Sequence, residues 1–96
     1  MNKPRLKKIN KVAREIEELA AELESKIDDL QELLYKEEDY HDNMPENLQY
    51  SYQGERSEEA IDIMTDAVDN LGKITETITK SIGEIDDIVS DLESLY

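Results

Sequence analysis

The stretch that decides the fold is "HDNMPENLQYSYQG", His41–Gly54. It is the one part of the chain not written in seven-residue repeats. Asn43, Pro45 and Gly54 punctuate it, and each favours a break in regular structure. Pro45 fixes its own φ and pushes Met44 out of the α region. "NMPENLQ" therefore reads as a turn, with one short helical turn over Pro45–Gln49 and with Met44 and Leu48 placed to plug the end of a helix pair. The expected connection covers residues 40–54.

Outward from this turn, both arms carry helical periodicity. From Leu6 to Leu34 three rows recur at seven-residue spacing. One is Ile9, Ile16, Leu23 and Leu30; a second is Val12, Leu19 and Leu33, broken by Lys26; a third is Leu6, Ala13, Ala20, Ile27 and Leu34. Together they form an a/d/e stripe on one helix, expected over residues 4–39. Pro4 suits its first helical position, where a missing N–H costs nothing. The second arm, expected over residues 55–95, repeats the pattern. Its rows are Ile61, Val68, Ile82 and Val89 around Thr75; Met64, Leu71, Ile78, Ile85 and Leu92; and a flanking row of Ala60, Ala67, Ile74, Ile88 and Leu95 interrupted by Ser81. Ser51 and Ser57 are both candidates to cap its start. Ile63 falls outside the stripe. Gly72 and Gly83 lie inside the helix, as marks of close packing or of a soft spot.

The expected fold is all-α: a single domain, residues 1–96, forming an antiparallel helical hairpin of coiled-coil type. Each stripe is three rows wide, whereas a two-stranded coiled coil needs two. A lone hairpin would leave one row of each helix wet. Two hairpins joined as a four-helix bundle would cover them, so a homodimer is expected. The charges agree with antiparallel packing. Residues 1–14 hold Lys3, Arg5, Lys7, Lys8, Lys11 and Arg14 and no acid, while Asp86, Asp87, Asp91 and Glu93 stand near the other end. Each cluster has the wrong sign for its own helix dipole, and an antiparallel fold lays one beside the other.

Composition excludes several chemistries. The chain has no cysteine, hence no disulfide, thiolate metal site or cysteine nucleophile. His41 is its one histidine, too few for the two-histidine sites of di-iron bundles, and as a loop residue it is expected to be solvated or locally bonded. No glycine-rich phosphate loop and no Ser–His–Asp set is present. "EEAID" (Glu58, Glu59, Asp62) comes nearest to the EExxE carboxylates with which some all-α pyrophosphatases hold Mg²⁺, but such spacing arises by chance in an acidic chain. The Trp-x-Gly turn of small secreted helical hairpins is missing, since there is no Trp. No enzyme, cofactor or metal is therefore expected. No apolar run approaches the roughly 20 residues of a membrane span, and "MNKPRLKKINK" lacks the apolar core of a signal peptide. The expectation is a cytoplasmic protein.

A net charge of −14, from 25 acidic against 11 basic residues, repels nucleic acid and anionic lipid and attracts basic surfaces. Four of the five tyrosines, Tyr35, Tyr40, Tyr50 and Tyr52, crowd around the turn. An apolar ring with a polar tip suits both a cap on the core and a binding surface. The candidate partner-binding residues are Asp62, Asp66, Asp69, Glu76, Tyr40, Tyr50 and Tyr52.

"DNMPENLQ" (Asp42–Gln49), followed by "GERSEEAID" (Gly54–Asp62) and "AVDNL" (Ala67–Leu71), resembles a group of small acidic helical proteins of Firmicutes and their phages. These share a D-N-M/I-P-E-S/N-L-Q turn and an A-I-D-x-L-type second helix, and have no assigned activity. The resemblance implies a prophage or mobile-element setting in a bacterial host. Charge and setting together lead to two expectations. One is a non-enzymatic module that binds and inhibits a basic, nucleic-acid-binding host protein, as DNA mimics do. The other is a structural coiled-coil dimer or assembly scaffold whose acidity serves solubility.

Overall fold

In the computed structural model, which describes residues 2–96, three helices follow in chain order: α1 (Lys3–Asp42), α2 (Glu46–Gln49) and α3 (Tyr52–Ser94). No strand occurs among the described residues. The fold is all-α, helix–turn–helix. Asn2 opens α1 as its cap, its Oδ1 accepting from the Arg5 N–H at 2.9 Å. Pro4 thus takes the second helical position rather than the first, still within the turn whose N–H groups lack intrahelical partners.

The turn is shorter than residues 40–54, because both long helices extend into it. α1 continues to Asp42, and Pro45 leads into α2 with φ −54° and ψ 143°. The Pro45 carbonyl accepts from the Leu48 and Gln49 N–H groups at 2.8 and 3.1 Å, closing the short helical turn. Gln49 Nε2 reaches back to the Met44 carbonyl at 3.1 Å and ties α2 to the end of α1. Ser51, not Ser57, caps α3: its Oγ accepts from the Gly54 N–H at 3.4 Å, the third helical position, as an N-cap hydroxyl does.

Gly54 sits buried in the first turn of α3, with no positive φ. Its reason is close approach. A Cβ at this position would fall on the backbone of Leu48 and Gln49, so only glycine lets α3 start so tightly against α2. Gly72 and Gly83 have open space where a Cβ would stand, so close packing is not their reason.

The chain divides into two compact units. The turn unit is Ser25–Gly72; the terminal unit joins the start of the chain, up to Glu24, with Lys73–Tyr96. Within each, a segment of α1 packs beside a segment of α3 along two rows per helix. In α1 these rows are Leu6, Ala13, Ala20, Ile27, Leu34 and His41, and Ile9, Ile16, Leu23, Leu30 and Glu37; all are buried or half-buried. In α3 they are Gly54, Ile61, Val68, Thr75, Ile82 and Val89, and Ser57, Met64, Leu71, Ile78, Ile85 and Leu92, with the same burial. This is a/d packing, the first row of each helix at a and the second at d.

The structure resolves which of the three rows stays out. In α1 it is Val12, Leu19, Lys26, Leu33 and Tyr40; Leu19 is 64% exposed and Leu33 54%. In α3 it is the flanking row, where Ile74, Ile88 and Leu95 are exposed and Ala60 and Ala67 half-buried. The a/d/e stripe of α1 therefore has its seam on the alanine row: Ala13 and Ala20 are among the most buried side chains. Small residues let the helix axes approach, and Val12 and Leu19 move to position g. No large side chain among the described residues is fully enclosed.

Candidate functional site

The turn unit gathers six of the seven candidate residues. Tyr40 closes the exposed row of α1, Tyr50 lies between α2 and α3, and Tyr52 begins α3. Their exposures are 54%, 80% and 70%. Tyr35 is exposed as well. Of the two roles a ring with a polar tip suits, these exposures favour the open surface over the cap. Met44 is half-buried and Leu48 exposed, so the plug is partial. Instead Tyr40, Asn43, Met44, Pro45, Leu48 and Gln53 line an open groove of about 400 Å³. The Arg56 guanidinium stacks over the Tyr52 ring, 5.1 Å from its centre, and donates to the Tyr52 hydroxyl. That holds Tyr52 outward, and part of its face is already occupied by a cation.

Asp62, Asp66 and Asp69 are all exposed on α3. Counted from Ile61 at a, Asp62 and Asp69 are at b and Asp66 at f, the outward face. Glu76, also exposed, is at b but belongs to the terminal unit. Glu55, Glu58, Glu59 and Asp62 line an open acidic groove along α3. Among the described residues no group of three or more His, Cys, Asp or Glu is arranged to hold a metal ion. The EEAID carboxylates lie along one helix, with no second element bringing ligands towards them.

His41 is on the last turn of α1, not in a loop. It is half-buried in the seam, and its Nδ1 is buried without a hydrogen-bond partner. Its carbonyl accepts from the Met44 N–H at 3.2 Å. Ser57, 4% exposed, donates its hydroxyl proton to Glu37 Oε1 at 2.8 Å. This bond carries a carboxylate across the turn unit's seam and lets Glu37 take a d position.

In the turn unit charge is segregated by helix face, a pattern that row-counting for apolar residues alone passed over. Between residues 25 and 72 stand fourteen Asp and Glu but only three Lys or Arg: Lys26, Lys36 and Arg56. Lys26 is at g, and Lys36 and Arg56 are at c, beside g on the helix surface. Of the acids on α1 and α3 in this unit, all but Asp29 at c and Glu37 at d are at b, e or f. The bases line the side left open by the exposed row; the acids occupy the remainder.

The terminal unit does not sort its charges this way: Lys7, Lys11, Arg14, Lys73 and Lys80 stand at b or f, and Glu15, Glu22, Glu84 and Asp91 at c. Asn10 and Glu93, both at e, join across the helix pair, Asn10 Nδ2 donating to Glu93 Oε1 at 3.1 Å. The basic start and acidic end of the chain thus share one unit. Turning one helix end for end keeps equal heptad positions on the same side, so both g rows flank the seam opposite this bond. There Val12 joins Ile9, Ala13, Ile16, Ile85 and the Lys8 stem around an apolar groove of about 300 Å³. No helix among the described residues is long and apolar enough to cross a membrane. No protein-family model, curated protein or solved structure matches this chain.

Proposed function

We propose that this chain is a non-enzymatic, acidic protein-binding module that acts as a homodimer, its two helix pairs forming a four-helix bundle. Its partner is a basic protein, bound through the outward acidic face of α3 and the tyrosines of the turn. In the prophage setting that the turn motif implies, the partner is a nucleic-acid-binding protein of the bacterial host, whose basic groove the module occupies and so inhibits. The observation that carries this reading is the segregation of charge in the turn unit. Within residues 25–72, Asp62, Asp66 and Asp69 stand exposed at b and f, where no Lys or Arg occurs before Lys73, while the three bases of the unit stand at g and c. Ordered carboxylates on a helix present the sign and repeat that a basic groove recognises, and they steer association from a distance.

Capture of a basic protein from a host lysate, followed by competition with duplex DNA, tests this reading. The captured protein should be released by DNA, and Asp62→Lys, Asp66→Lys and Asp69→Lys together should abolish capture without loss of helicity. Capture that survives both the substitutions and 1 M salt, where the Debye length is about 3 Å, would contradict the charge-mimic mechanism. The assembly-scaffold reading draws on a different observation, the exposed apolar row, and predicts capture insensitive to salt and to the three reversals.

A further inference from the structure

The apolar side of the helix pair carries its own charge code, and the code specifies an orientation. In the turn unit the charged side chains at g and c are Lys26, Lys36, Arg56 and Asp29: three bases and one acid. In the terminal unit they are Arg5, Lys8, Glu15, Glu22, Glu84 and Asp91: two bases and four acids. All are exposed. The same side holds the exposed g rows, and Ile63, outside the stripe by periodicity, stands at c, 70% exposed. Lys26 pairs within its own helix, with Asp29 at 3.6 Å, a contact between exposed groups that gives way easily to a better partner.

Resting on the dimer proposed above, we infer that the occupant of this face is a second copy of the chain in opposed orientation. The turn unit of one copy covers the terminal unit of the other. Area supports a second copy as occupant. A folded monomer of 11.1 kDa exposes about 5,700 Å², whereas this chain exposes 7496 Å². The excess is larger than the roughly 800 Å² that each partner gives up in a standard interface. Charge supports the opposed orientation. Stacking like units would set Lys26, Lys36 and Arg56 against their own copies, and Glu15, Glu22, Glu84 and Asp91 against theirs. Opposed stacking sets the basic rim of a turn unit on the acidic rim of a terminal unit. Electrostatic fit of this kind selects register and partner more than it adds affinity. The acids proposed to bind the basic partner lie at b and f, away from this face, so both surfaces are open at once.

The native chain has no cysteine, so single thiols report orientation cleanly. Glu15→Cys and Lys36→Cys chains, differing in tag, are mixed, allowed to exchange and treated with a short bis-maleimide. Opposed packing predicts mixed Glu15→Cys/Lys36→Cys cross-links in excess of both like pairs. Like pairs alone, from a protein that sediments as a dimer, would overturn the orientation and leave the dimer standing. A monomer at 100 μM would overturn the dimer itself. As a second readout, Lys26→Glu, Lys36→Glu and Arg56→Glu together should weaken the dimer roughly tenfold, with helicity unchanged. Adding Glu15→Lys, Glu22→Lys and Glu84→Lys to the same chain should restore it. Equal dimerisation of all three proteins would contradict the charge code.

Discussion

A methyl group added to Gly54 would fall on the backbone of Leu48 and Gln49, whereas one added to Gly72 or Gly83 meets nothing within 4 Å. The three glycines should respond oppositely to the same change. Gly54→Ala forces the start of α3 away from α2 and should cost about 1–3 kcal/mol, as other overpacked sites do. Gly72→Ala and Gly83→Ala remove backbone freedom from the unfolded chain and should each stabilise by about 0.5–1 kcal/mol. Chemical denaturation followed by circular dichroism measures all three. Gly54 was legible as punctuation, but its cause was not. A glycine required by a neighbour's backbone looks the same in sequence as one required by a turn. Ser51 and Ser57 were likewise equal candidates for the cap, and only the placement of α2 gives the role to Ser51 and frees Ser57 to bond Glu37.

At the scale of the helix, the periodicity of each arm and the turn around Pro45 were legible, because spacing and proline geometry act locally. The choice of seam was not. Each stripe has three apolar rows, and interruption does not single out the exposed one: Lys26 and Ser81 interrupt exposed rows, yet Thr75 interrupts a seam row. Burial picks out the row of Ala13 and Ala20 in α1. The tyrosines were ambiguous for a related reason, since a ring with a polar tip is stable both as a cap and in water. The two kinds of row should separate under mutation. Leu23→Asp or Ile78→Asp places an unpaired charge in the seam and should cost about 3 kcal/mol of folding stability. Leu19→Glu with Leu33→Glu, on the open row, should leave helicity and the folding of the single chain nearly unchanged. Equal loss of helicity from both pairs would mean that the open row belongs to the chain's own core.

At the scale of the molecule, the turn unit divides its surface by chemistry: acids at b, e and f, apolar residues and bases at g and c, tyrosines at the turn. In the proposed assembly the first surface meets a basic partner and the second meets another copy. Replacing Tyr50 and Tyr52 with alanine tests whether the turn takes part in the partner contact. A loss of affinity of about tenfold or more would place a hot spot there, while unchanged affinity would confine the contact to the acidic face. The central claim is that the open apolar row is an interface, and the mass of the chain in solution tests it most directly. Light scattering on the wild-type protein at micromolar concentration should report about twice the chain mass of 11.1 kDa, and the Leu19→Glu, Leu33→Glu protein should report the single chain. A wild-type chain that stays monomeric to 100 μM, with the variant indistinguishable from it, would contradict the account.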